Sequence, residues 1–109
     1  MKTGIFGGSF DPPHIAHSKI ALMAKERFGL DKIIMVPAGI TPHKETTGAM
    51  RHRYNMCKIV ADKYGFEISD YEINKKTYCY SFETLEYFKN LYPDDEIYFI
   101  IGGDSIKNF

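Results

Sequence analysis

The stretch Gly7-Gly8-Ser9-Phe10-Asp11-Pro12-Pro13-His14-Ile15-Ala16-His17 carries the residue types and spacing best suited to chemistry. It follows a short apolar run, Thr3-Gly4-Ile5-Phe6, and leads into a helical pattern that starts near Ile15. A strand, a glycine turn and a helix N-terminus, in that order, make a seat for phosphate. The backbone can be approached closely at glycine, free amide N–H groups point outward, and the helix dipole favours negative charge. His14 and His17 are three apart, so both can project from one side of the first helical turn. Two imidazoles beside such a seat point to chemistry on a phosphate ester. A bare Gly-Gly turn can serve only chain reversal, but the added Ser-Phe-Asp-Pro-Pro-His-x-x-His is more specific. Neither a Walker A loop nor a GxGxxG fingerprint is present. HxxH alone is a weak metal signal, because zinc takes three or four ligands and nothing fixes His43 or His52 beside the pair. No protein metal site is expected.

Other segments could join this seat. Thr41-Pro42-His43-Lys44 follows a second apolar run, where Lys44 is either an ordinary loop lysine or a mobile cation over phosphate. Gly102-Gly103-Asp104-Ser105 follows a fourth run. Glycine there lets a flat ligand approach the backbone, while Asp104 either caps a helix or accepts hydrogen bonds from ribose hydroxyls. In Tyr78-Cys79-Tyr80-Ser81-Phe82-Glu83-Thr84-Leu85, Ser81 suits an N-cap, and the free amides of that helix start could hold a carboxylate. Arg51 and Arg53 open another helical pattern and read as solvated surface charge, although Arg53 shares the side of the apolar stripe.

The elements that must position these residues are legible as alternating patterns. Strand-like runs occur at Lys2–Phe6, Lys32–Val36, Phe66–Ser69 and Glu96–Ile101, the last apolar enough to be buried on both faces. Between them, Ala16, Ile20, Met23, Ala24 and Phe28 keep helical spacing, stopped by Gly29. Arg53, Met56, Cys57, Val60, Ala61 and Tyr64 repeat it, stopped by Gly65, and Leu85, Phe88 and Tyr92 mark a third helix ending before Pro93. Alternation of this kind predicts an α/β fold: a Rossmann-like parallel sheet with helices on both faces. Ligands in such sheets bind at the carboxyl ends of the strands, which is where every unusual segment falls. Asp104–Phe109 reads as the first turn of a further helix, so the single domain, residues 1–109, is expected to be C-terminally incomplete.

Bulk properties narrow the partners. Lys plus Arg and Asp plus Glu both number 14, which leaves no basic surplus for nucleic acid. No apolar run would span a bilayer, and the first strand starts at once, so no membrane association and no signal or transit peptide are expected. Cys57 and Cys79 are far apart and outside any CxxC pattern, and read as reduced thiols of a cytoplasmic protein.

Taken together, these motifs resemble the nucleotidyltransferase superfamily with the (H/T)xGH signature, and in detail the bacterial nicotinate-nucleotide adenylyltransferases. Gly7–His17 resembles the signature itself, Pro42-His43-Lys44 the PHK loop, Arg53-x-x-Met56 the RxxM helix start, Tyr80–Leu85 the SYTxDTL stretch, and Ile100–Ser105 the GxDS turn. The order matches from end to end. Ala16 stands for the usual glycine of HxGH, Ser81 stands for the usual threonine, and the family's ISSTxxR segment and ring-stacking aromatic would lie beyond residue 109. The resemblance implies transfer of AMP from ATP to nicotinate mononucleotide, giving nicotinate adenine dinucleotide and pyrophosphate in NAD biosynthesis. It implies catalytic roles for His14, His17 and Lys44. ATP would be held by Gly7, Gly8, Ser9, Phe10, His14, His17, Gly102 and Asp104, and the mononucleotide by Lys44, Ser81 and Thr84. Mg²⁺ would travel with ATP. Two other readings are a pantetheine-phosphate adenylyltransferase, whose loop usually has threonine where His14 stands, and a nucleotide-binding fragment without turnover.

Overall fold

A computed structural model describes the backbone of residues 1–8, 15–37, 47–74, 81–101 and 105–108, and the side chains of residues 1–8, 18–37, 51–74 and 82–100. In chain order the elements are β1 (Lys2–Gly8), α1 (Ile15–Phe28), β2 (Lys32–Pro37), α2 (Thr47–Tyr64), β3 (Glu67–Ile68), α3 (Tyr71–Asn74), α4 (Ser81–Leu91), β4 (Glu96–Ile101) and β5 (Ser105–Asn108). They form one five-stranded sheet in the order β3-β2-β1-β4-β5. The first four strands run parallel: Ile5 of β1 lies opposite Ile34 of β2 and Phe99 of β4. The predicted α/β architecture with its four strands is therefore present.

Alternation along the strands splits the core into two layers. Phe6, Ile33, Met35, Tyr98 and Ile100 turn to one face, where Ala21 and Ala24 of α1 and Cys57 and Ala61 of α2 cover them. Ile5, Ile34, Val36 and Ile97 turn to the other, against Leu85 and Phe88 of α4. Both faces of β1, β2 and β4 are thus apolar, as a parallel sheet requires. The distribution of helices follows from topology. The chain moves outward from β1 to β2 and β3, then reverses to β4 on the far side of β1. Crossovers of a single hand place helices on opposite faces when the direction of travel reverses.

Helix ends follow the chemistry of glycine. α1 and α2 are followed by Gly29 and Gly65 with φ of 64° and 74°, the left-handed region that non-glycine residues occupy at a cost. The amide of Leu30 bonds to Lys25 O at 2.9 Å and that of Phe66 to Ala61 O at 2.8 Å, closing both helices.

The amino edge of the sheet is tied shut. The Lys2 amide donates to Asp31 Oδ2, and the Asp31 amide donates back to Lys2 O, both at 2.6 Å. Thr3, fully buried, donates its hydroxyl to Asp95 Oδ2 at 3.0 Å, which satisfies a polar group that burial would otherwise penalise. The Glu96 amide donates to Met1 O at 2.9 Å.

Four features depart from the sequence reading. Ser105–Asn108 is a strand, not a helical turn: Ile101 pairs with Ser105 and Tyr98 with Asn108 in antiparallel register. Residues 102–104 thus connect two antiparallel neighbours, and edge strands need little apolar pattern to announce them. Second, β3 is shorter than predicted, although the Ser69 amide still reaches Met35 O at 2.8 Å. Third, α2 begins at Thr47, ahead of the apolar stripe, because its opening turns carry little periodic apolar content. Fourth, the short helix α3 has only four residues, too few for a 3.6-residue period to show.

Gly4 sits where β1 meets both neighbours. A Cβ there would lie 2.8 Å from Ile33 Cδ1, 2.9 Å from Leu30 Cδ1 and 3.3 Å from Ile100 Cδ1. Urea denaturation of Gly4→Ala should show a loss of about 1–3 kcal/mol, the usual cost of overpacking. An unchanged midpoint would mean that the three methyls move aside freely.

Candidate functional site

Parallel strands deliver their carboxyl ends to one edge, and the register states which residues meet there. Gly7 is flanked by Val36 on β2 and Ile101 on β4, and Gly8 lies opposite Pro37. Neighbouring strands lie about 4.8 Å apart. The segments leaving β1, β2 and β4 therefore start side by side. They are residues 9–14, 38–46 and 102–104, which hold the glycine loop, Lys44 and Asp104. The chain leaves β1 toward β2 and later returns on the β4 side, so β1 and β4 bracket the topological switch point, the position at which doubly wound sheets open a crevice.

His14 immediately precedes α1, and His17 is the third residue of that helix. The first turn of α1 contains no acidic residue, so none of its own side chains competes with an incoming anion for the positive end of the dipole. The His17 side chain lies outside the described residues, as do Ser9, Phe10, His14, Lys44, Gly102 and Asp104 entirely.

Gly7 has a reason to be glycine that sequence could not show. A Cβ there would lie 3.0 Å from Phe99 Cε1 and 3.4 Å from Cζ. Among the described residues, the atoms nearest such a Cβ belong to the protein's own ring, on the face that α4 covers. Phe99 belongs to an all-apolar strand, and nothing in that run distinguishes it from its neighbours.

α4 begins at Ser81, where the sequence places a helix start; the Ser81 side chain lies outside the described residues. Thr84, one turn on, is 2% exposed. Its Oγ1 donates to Glu72 Oε2 at 2.6 Å, the length of a hydroxyl–carboxylate bond. Sequence reasoning gave no signal for Glu72, since α3 is too short to be read from a pattern.

The arginines divide. Arg51 is exposed, with its guanidinium 5.3 Å from the Tyr54 ring centre, as the surface reading expects. Arg53 overturns that reading, for it is only 2% exposed and among the bulkiest fully buried side chains. The correction has a plain cause: Arg53 and Cys57 are one helical turn apart and share the stripe that meets the sheet. Cys57 is a free, buried thiol, as expected, and burial pushes its pKa up from 9.0 to about 12, with the nearby Arg53 charge pulling the other way. Cys79 lies outside the described residues. His52 on α2 is exposed. Among the described residues no three His, Cys, Asp or Glu side chains gather into a metal-binding group, and no helix is long and apolar enough to cross a membrane.

Comparison with known proteins places these features in company. A family model described as cytidylyltransferase-like matches residues 5–109. A probable nicotinate-nucleotide adenylyltransferase of Clostridium tetani is 46% identical over 110 residues, covering 98% of this chain and 55% of the relative. Another, from Clostridium botulinum, is 48% identical over 109 residues, covering 96% and 53%. The chain spans about half the length of the curated relatives it matches. In fold it matches the Plasmodium falciparum nicotinic acid mononucleotide adenylyltransferase complexed with NaAD, at a TM-score of 0.72 and 24% identity, covering 91% of this chain and 51% of that one.

A raised thiol pKa carries a stability signature. Between about pH 9 and pH 12 the folded chain keeps the Cys57 proton that the unfolded chain gives up, so stability falls as pH rises through that window, by up to about 1.4 kcal/mol per unit. Chemical denaturation of the native chain and of Cys57→Ala across pH 8–11 should show a steeper decline in the former. Parallel slopes would place the thiol in contact with water.

Proposed function

This chain belongs to the cytidylyltransferase-like family, and from that premise we propose that it provides the nucleotide-binding portion of a nicotinate-nucleotide adenylyltransferase. The reaction joins ATP and nicotinate mononucleotide into nicotinate adenine dinucleotide, with release of pyrophosphate, as a step of NAD biosynthesis in the cytoplasm. One observation carries the reading most directly: the Gly7–Gly8 exit lies at the switch point between β1 and β4, flanked by the starts of the loops that follow β2 and β4. The 46–48% identity to relatives named for this activity, sustained along nearly the whole chain, supports the same substrates.

In the proposed mechanism the mononucleotide phosphate attacks the α-phosphorus of ATP in line. One P–O bond forms, the bond to the β-phosphate oxygen breaks, and pyrophosphate leaves. No side chain forms a covalent intermediate, so catalysis consists of alignment and of stabilising charge that grows on the phosphoryl oxygens. His14 and His17 hydrogen-bond the triphosphate at the start of α1, with His17 nearest the reacting centre. Gly7, Gly8, Ser9 and Phe10 line the ATP pocket through their backbone. Lys44 neutralises phosphate charge from the loop after β2. Gly102 and Asp104, between β4 and β5, contact the adenosine ribose. Ser81 and Thr84, at the start of α4, serve the nicotinate end. Mg²⁺ would travel with ATP, held by the triphosphate, and would supply charge neutralisation there.

Radiolabelled ATP and nicotinate mononucleotide should yield labelled dinucleotide with the native chain. His17→Ala should lower kcat by about 10²–10³-fold while circular dichroism and melting stay unchanged, a loss typical of removing one preorganised charge stabiliser. Near-normal pyrophosphate release by that variant would refute the role given to His17. Asp104→Ala should mainly raise KM for ATP, and an unchanged KM would remove the ribose contact. ATP binding without any pyrophosphate from the native chain would instead support a binding fragment without turnover.

A further inference from the structure

On the face that α4 covers, the last row of β1 has a notch. Val36 of β2 stands in that row and is buried in the core beneath α4, but its partner Gly7 brings no side chain. Backbone conformation does not demand the glycine, because among the described glycines only Gly29 and Gly65 have positive φ. Glycine weakens a strand relative to alanine, and inside one it usually marks a close approach. Here the approach comes from β4. Phe99 stands opposite Ile5, one row deeper, yet its ring leans toward the carboxyl edge. A Cβ on Gly7 would lie 3.0 Å from Phe99 Cε1 and 3.4 Å from Cζ, the first well inside ordinary carbon–carbon contact. The ring therefore fills the notch.

Half-buried, Phe99 packs on the cluster of Ile5, Ile34, Val36, Leu85 and Phe88. It is the apolar layer directly under the exit of β1, and the residues that follow Gly7 and Gly8 are those of the glycine loop. The fit works in both directions. The missing Cβ admits the ring, and the ring keeps the end of β1 from sinking toward α4. Close-packed interiors transmit strain, so a change in either partner is felt where the strand ends.

We propose that Phe99 is a positioning residue for ATP: its ring, seated against Gly7, props the end of β1 at the height from which the loop toward His14 meets the triphosphate. This rests on the adenylyltransferase reading, and it assigns Phe99 no contact with substrate. It also separates two roles of Gly7. The backbone of that residue faces the nucleotide, while its lack of a side chain serves the ring inside the protein.

Calorimetric titration of the full chain with ATP and, separately, with nicotinate mononucleotide tests this. Gly7→Ala should weaken ATP binding about tenfold, the size of one overpacking strain expressed at the site. Phe99→Leu, which withdraws the ring tip, should weaken it about threefold or more, with mononucleotide affinity held within about twofold. Gly7→Ala/Phe99→Leu should bind ATP more tightly than Gly7→Ala, because the shorter side chain vacates the space that the new methyl needs. Ile97→Val trims the same face of β4 one row further from the site, and should lower stability while leaving ATP affinity unchanged. The comparison of Phe99→Leu with Ile97→Val stands by itself should Gly7→Ala not fold. A double variant no better than Gly7→Ala overturns the proposal, since the glycine then serves the approach of the nucleotide. Equal loss of ATP affinity in Ile97→Val, or unchanged affinity in Phe99→Leu, overturns it as well. No ATP binding by the native chain overturns the adenylyltransferase reading itself, and this inference with it.

Discussion

β1 hydrogen-bonds to parallel partners on both sides, and the geometry of the site depends on that double pairing. With β2 on one flank and β4 on the other, the strand presents no open hydrogen-bonding edge, and at Gly4 and Gly7 it has little room for a side chain. Gly4 meets Ile33, Leu30 and Ile100 on one face, and Gly7 meets Phe99 on the other. Close packing of this kind fixes where β1 ends relative to its neighbours. Because all three strands run the same way, the loops that follow them emerge side by side.

The two edges of the sheet are treated differently for a physical reason. At the amino edge, strand ends are joined by reciprocal bonds between Lys2 and Asp31 and by the Thr3–Asp95 bond. At the carboxyl edge, α1 and α4 begin, and helix starts keep amides that their own ladders cannot use. The positive ends of helices and the glycine exits thus share one side of the molecule. An anionic nucleotide is the type of ligand that such an edge stabilises.

Thr84 and Arg53 are almost wholly enclosed, and each sits on a helix that leads back from the carboxyl edge. A hydroxyl bonded to a carboxylate costs little to bury, whereas either group left alone would be expensive. Such pairs resist displacement, and for that reason they suit the support of a binding surface better than its lining.

Periodicity in the sequence determined the four parallel strands, the three long helices and the placement of the glycine loop between β1 and α1. Those features depend on local alternation, on helical spacing and on glycine stops at Gly29 and Gly65, all of which are written residue by residue. Relations between distant segments were decided only by tertiary structure. The antiparallel β5 depends on pairing with β4, the burial of Arg53 on which side of α2 meets the sheet, and the roles of Glu72 and Phe99 on neighbours that no local pattern can specify. Local propensity reports what a segment prefers alone; packing selects which of its faces, edges and polar groups find partners.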